Sequence, residues 1–173
     1  DLHSFPTRRS SDLAIPQNRT KMNEKTDSEL KGETFLQCHL TLPNDINTIP
    51  QLSEFIDLNC EELGVDLVDT MNINLALEEA VVNVMSYAYP EGTEGQVDID
   101  LTADGDEMVF IITDSGTPFD PTQKEEVDTT LSAEERPIGG LGIHLVRKLM
   151  DDISYQYVDN KNVLTLKKKL NKA

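Results

Sequence analysis

Three short segments carry residue types from which chemistry can be built. Glu79 and Asn83 stand four apart in an apolar-periodic stretch, so on a helix they share a face. A carboxylate there can take a proton from a hydroxyl nucleophile, and an amide oxygen one turn on suits a hard cation. Asp114-Ser115-Gly116 closes a β-type apolar run. An ionised Asp at a strand end can accept from an exocyclic amine, and the glycine lets backbone approach a planar ring. Gly139-Gly140-Leu141-Gly142 opens another apolar-periodic stretch. Glycines at a helix N-terminus bare backbone N–H groups where the dipole favours an anion such as phosphate. Singly, each segment also has a plain structural reading: a solvated helix face, a turn after a strand, a hinge with close helix packing. The glycines form neither a P-loop, since no GK[ST] follows, nor the dinucleotide fingerprint, since Leu145 stands where its third glycine would fall.

The composition bounds what this chemistry can serve. With 173 residues, 38% of them hydrophobic, the chain can bury the core of one domain with a tail. Lys and Arg total 15 against 32 Asp and Glu, a net charge of −17. Such a field repels phosphate backbones and anionic lipid, so neither a nucleic acid nor a membrane is an expected partner. No apolar run approaches the roughly 20 residues a membrane helix needs. Cys38 and Cys60, with no CxxC, give no disulfide framework or zinc cluster, and a reducing cytoplasm is the expected location. Asp1–Leu13 (DLHSFPTRRSSDL) lacks an initiator Met and any helix or strand period, and reads like one frame of a sequencing-library adaptor. Residues 1–21 are accordingly set aside as a non-native, adaptor-derived or disordered leader, with Met22 the expected start. A flexible N-terminus is expected over 22–33 and the folded domain over 34–173.

The elements that must position the three segments follow from periodicity. Thr34–Leu42 alternates as a half-buried strand. Asn47 and Thr48 are expected to cap a helix that carries Leu52, Phe55, Ile56, Cys60 and Leu63 and stops at Gly64. A second helix is predicted from about Thr70 to Ala88, with Ile73, Leu77, Ala80, Val84 and Ala88 on its core stripe and Glu79 and Asn83 on a separate face. Strands at Val97–Ala103 and Met108–Thr113 flank Asp104-Gly105, a hairpin signal. Residues 115–137 form a long acidic connection of the kind that serves as a lid. A third helix from Gly140–Leu141 precedes a closing hairpin, Ile153–Val158 and Val163–Leu170, turning over Asp159–Asn162. The order β-α-α-β-β-α-β-β predicts a two-layer α/β sandwich, helices on one face of a mixed, mainly antiparallel sheet. His39 and His144 read as ordinary histidines, Tyr87 as a packed helix residue, and Lys167–Lys169 as a solvated sheet edge.

Together the three segments resemble the N, G1 and G2 boxes of the Bergerat-fold ATPases, the superfamily of gyrase, MutL and the sensor-histidine-kinase catalytic domain. EEAVVNVMSYAYP (Glu78–Pro90), DSGTPFDP (Asp114–Pro121) and RPIGGLGIHLVRKLMD (Arg136–Asp151) are similar, more narrowly, to the bacterial anti-sigma serine kinases of the RsbW type. The resemblance spans about Phe35 to Leu170. It implies ATP and Mg²⁺ as cofactors, Glu79 as general base and Asn83 as magnesium ligand. It further implies Asp114, with Gly116, as the adenine-reading group, Gly140 and Gly142 on the phosphate side, and Arg136 at the terminal phosphate. The implied activity is phosphorylation of a serine or threonine on a small STAS-type antagonist protein, with sequestration of a sigma factor or similar effector in a partner switch, and a possible homodimer. Two alternatives stay open: a nucleotide-gated binding module without kinase activity, and a detached histidine-kinase catalytic domain. No HRD or DFG set of the eukaryotic-type kinases occurs.

Overall fold

Period-two alternation makes Phe35–Pro43 strand β1, with Leu36, Cys38, Leu40 and Leu42 turned to the core in a computed structural model that describes residues 35–123 and 140–170. The Asp45 carboxylate accepts from the Asn47 N–H at 2.9 Å, and Pro50 preorganises the first turn of helix α1 (Ile49–Leu63). Thr48 stands at the N-cap of α1 as expected, but its hydroxyl donates back to the Asp45 carbonyl at 2.6 Å and makes no capping bond to the helix, while the Asn47 amide donates to the Asp45 carboxylate at 2.8 Å. Gly64 ends α1 at φ 67°, a left-handed conformation in which a side chain would be strained. Helix α2 (Leu67–Tyr87) begins three residues before the expected Thr70, because Asp66 caps it by accepting from the Asp69 N–H at 2.8 Å.

Strands β2 (Gln96–Asp104) and β3 (Glu107–Asp114) form the expected hairpin. Helix α3 (Gly140–Leu149) leads into β4 (Asp152–Val158) and β5 (Lys161–Lys169). Asp159 and Asn160, with φ of 52° and 60°, make a two-residue turn between the last two strands. The turn is shorter than expected, which moves Asn162 into β5. The sheet order is β1-β2-β3-β5-β4 and all four pairings are antiparallel, which sharpens the expected mixed, mainly antiparallel sheet. One sheet face, carrying Val97, Ile99, Leu101, Phe110, Ile112 and Leu166, shares a single core with Leu52, Ile56, Ile73, Leu77 and Val81 of the helices. Each such fully buried side chain contributes about 1.5–3 kcal/mol.

Strand β5 lies between β3 and β4, so Lys167 is paired on both sides, with Val109 and Asp152, whereas Lys168 and exposed Lys169 run past the start of β4. Lys168 follows Leu164 and Leu166 on the helix-facing side. There its ammonium donates to the Leu149 carbonyl at the end of α3 (3.1 Å) and pairs with buried Asp69 of α2 (3.4 Å). Among the described residues, no helix is long and apolar enough to cross a membrane.

Candidate functional site

The floor of the site is the end of β3. Sheet register sets Asp114 between Val97 of β2 and Asn162 of β5, and both Asp114 and Asn162 are only 5% exposed. The Asp114 Oδ1 accepts from the Gly116 N–H at 2.9 Å and from the Asn162 Nδ2 at 2.8 Å. Both bonds fall on Oδ1, so neither engages Oδ2, the carboxylate oxygen that could accept from a donor on a ligand. Asn162 also donates to the Thr117 carbonyl at 3.1 Å, and its Oδ1 accepts from the Phe119 N–H (3.2 Å) and the Tyr155 hydroxyl (2.7 Å). Burial pushes the Tyr155 phenol pKa up against a smaller opposing effect of the Phe119 backbone, with nearby Asp120 and Asp114 adding to the rise. Tyr155 therefore remains a protonated donor at neutral pH.

Above this floor stands an apolar recess walled by Ala80 and Val84 of α2, Ile143 of α3 and Leu164 of β5. Its chemistry, apolar walls over a buried acceptor, suits a planar ring bearing an amine. Tyr87 and Phe119 line the recess as well, both exposed to solvent; the expectation of a packed Tyr87 is corrected, because in the last turn of α2 it stands 56% exposed at the recess. Gly116 has a use other than approach to a ring. A Cβ at Gly116 would collide with the Ala88 carbonyl and stand 2.6 Å from the Ala88 Cβ, so the missing side chain lets the end of α2 meet the end of β3. The Thr117 N–H donates to the same Ala88 carbonyl at 2.7 Å.

Glu79 and Asn83 are half-buried on α2, and Asn83 borders the recess beside Ala80 and Val84. The separate polar face expected for them thus meets the core stripe at the recess, where α3 packs over α2. Gly142, in the first turn of α3, makes this possible. A Cβ there would run into the Glu79 carboxylate and lie 3.2 Å from the Asn83 Nδ2. Three segments far apart in sequence therefore converge: Asp114 and Asn83 line one recess, and Gly142 abuts Glu79 and Asn83. Gly140 begins the same helix.

Arg136, and residues 124–137 of the expected lid, lie outside the described residues. The described start of that connection is tied down at several points. Thr117 and Phe119 bond Asn162, and the Arg147 guanidinium of α3 donates to the Thr122 carbonyl. His39 sits on exposed β1 against Asp100 (2.7 Å) and Thr41 (2.9 Å), and neither it nor His144 lines the recess. Asn162 and Tyr155 were not singled out by sequence. The available signal was the period of β5: counting back by two from Leu166 and Leu164 turns Asn162 inward. Among the described residues no group of three His, Cys, Asp or Glu could cage a metal. A cation here would be held by Asn83 together with oxygens of a ligand, the mode that Mg²⁺ favours.

A helix pair and a third helix on one antiparallel sheet, with an acidic floor and a glycine-opened helix at the recess, define a class of nucleotide-binding domain. The family described as the histidine kinase-like ATPase domain matches residues 42–168, and the chain belongs to it. Membership in that family implies ATP binding. The chain is 31% identical over 100 residues to a serine-protein kinase RsbW of Listeria monocytogenes, covering 56% of this chain and 64% of the relative. It is 33% identical over 94 residues to the serine/threonine-protein kinase BtrW of Bordetella bronchiseptica, covering 54% and 66%. With the serine-protein kinase RsbW of Halalkalibacterium halodurans it shares 32% identity over 117 residues, 61% of this chain and 71% of the relative. The chain thus spans just under two thirds of the length of the Listeria relative. Its fold matches the crystal structure of the RsbU and RsbW domains of Rv1364c from Mycobacterium tuberculosis with a TM-score of 0.59 at 18% identity, over 80% of this chain and 33% of that one.

Proposed function

We propose that this domain is an ATP-dependent protein serine or threonine kinase of the anti-sigma type, acting on a small STAS-type antagonist and holding a sigma factor or similar effector when that antagonist is phosphorylated. The observation that carries the reading is the contact of Gly142 with Glu79 and Asn83 beside a recess floored by Asp114. In this reading Asp114 accepts from the adenine amine through the oxygen not engaged by Gly116 and Asn162. Ala80, Val84, Ile143 and Leu164 exclude water from the ring. Asn83 would hold Mg²⁺, and the N–H groups at the start of α3 face the phosphates. Bound Mg-ATP supplies the phosphoryl group and offsets its charge. Glu79 would take the proton from the partner's hydroxyl as that oxygen bonds to the γ-phosphorus and ADP leaves with the bridging oxygen, so the site chiefly positions and neutralises. A binding module without transfer would have no use for a half-buried carboxylate at this point. The cytoplasm is the location proposed with this function.

The test is incubation with labelled ATP and a candidate STAS protein encoded nearby. Glu79→Ala is expected to keep Mg-ATP affinity and to lose about 10²–10⁴ in transfer rate, since a base acts mainly in the transition state. Transfer by Glu79→Ala at the parental rate would show that the base lies elsewhere.

A further inference from the structure

One surface is built for contact and is used by nothing described so far. On the outer side of α2, Leu67, Met71 and Leu75 recur every fourth residue beside Val68. They are 74%, 62%, 43% and, for Val68, 68% exposed. Across the groove between α1 and α2, Leu58 is 54% exposed, and it shares that groove with Glu54, Asp57 and Glu78. Asn74 of α2 bonds the Asp57 carboxylate at 2.7 Å, which fixes the two helix faces side by side. Large apolar side chains standing singly in water are ordinary; five at one end of a helix pair are a contact surface.

The charge around them selects the occupant. From Leu40 to Gln123 the chain has no Lys, Arg or His. Glu54, Asp57 and Glu78 line the groove with Leu58, and Glu61 and Asp66 are exposed at the end of α1 and the start of α2. A second copy docking through this face would set those carboxylates against their own equivalents, and like charges brought together at an interface are costly. An anionic membrane or nucleic acid is repelled for the same reason. A chain with apolar anchors at helical spacing and Lys or Arg on either side meets both features of the surface. We infer that the outer α1–α2 face is a docking site for a basic amphipathic helix of another protein. The row runs toward the nucleotide recess: Leu75 precedes Glu79 by one helical turn, about 6 Å. A helix seated here therefore lies beside the recess without entering it. This inference rests on the surface alone and not on the kinase reading.

The test uses the full chain and three synthetic helical peptides. One has leucines every three or four residues with flanking lysines, one has the same composition with leucines scattered, and one has glutamates in place of lysines. Binding is followed by NMR of the labelled chain across a salt titration. The patterned Leu/Lys peptide is expected to bind, to shift resonances over 49–75, and to weaken steeply with salt. The other two peptides, and the Met71→Asp/Leu75→Asp variant with the first, are each expected to be weaker by about tenfold or more. Both substitutions are on the surface, and an unchanged melting temperature confirms that the variant is folded. Asp114→Asn is expected to leave peptide binding intact, so failure of docking is separable from failure of nucleotide binding. Equal binding of the scattered peptide, or full binding by the Met71→Asp/Leu75→Asp variant, would overturn the inference. So would a dimer of the parent, seen by sedimentation, that this variant dissolves, since the occupant would then be a second copy.

Discussion

Replacing Asn162 by Asp exchanges one NH₂ group for an oxygen and leaves the side chain's shape nearly unchanged. In the parent this NH₂ donates to the Asp114 Oδ1 at 2.8 Å and to the Thr117 carbonyl at 3.1 Å. In Asn162→Asp both contacts become oxygen facing oxygen, at a place where the two residues are almost fully buried. Two unit charges about 4 Å apart repel by about 4 kcal/mol at an effective dielectric constant of about 20. That is a large share of the roughly 5–15 kcal/mol by which a domain is stable. The variant escapes part of the penalty by holding a proton between the two carboxyls. The folded state then binds more protons than the unfolded chain, so the variant's stability relative to the parent falls as pH rises through and above the carboxylate range, by up to about 1.4 kcal/mol per unit. Urea unfolding followed by far-UV circular dichroism at about pH 5 and about pH 7.5 measures both terms. Asn162→Ala is the control. It removes the same donors and takes from the Tyr155 hydroxyl its Asn162 acceptor, for about 1–3 kcal/mol with little pH dependence. The exchanged pair Asp114→Asn/Asn162→Asp restores one donor and one acceptor and is expected to recover most of the stability. A loss below about 1 kcal/mol for Asn162→Asp, flat with pH, would refute the view that these side chains form a buried pair.

Asp114→Asn is expected to lose most ATP affinity, because the replaced oxygen leaves the adenine amine facing a donor or a poorer acceptor; calorimetry with Mg-ATP measures it. For Gly142→Ala, a gain of up to about 1 kcal/mol in helix propensity opposes the collision with the flexible end of Glu79, so the melting temperature should hold while phosphotransfer falls with the displaced carboxylate. Lys168→Ala leaves Asp69 buried without its partner and is expected to cost about 3–5 kcal/mol in urea unfolding, whereas Lys168→Met with Asp69→Leu should be far milder.

Much of this protein was legible in its sequence, because the signals were local. Alternation in Val97–Ala103 gave β2, glycine after Leu63 gave the end of α1, and strand and helix order gave the two layers. Glu79, Asn83, Asp114, Gly116, Gly140 and Gly142 could be named because each sits at a helix position, strand end or helix start that residue type and spacing mark. Tertiary structure decided what those residues touch. Packing of the helices on the sheet turned Lys168, read as part of a solvated edge, into the partner of buried Asp69. Register across β3 and β5 set Asn162 against Asp114, 48 residues away in sequence. Packing of α3 on α2 brought Gly142 onto Glu79 and so joined a helix face to a helix start. A sequence fixes the period of each element, which is a property of neighbours along the chain; which elements lie side by side depends on burying all their apolar faces at once, and no single segment carries that information.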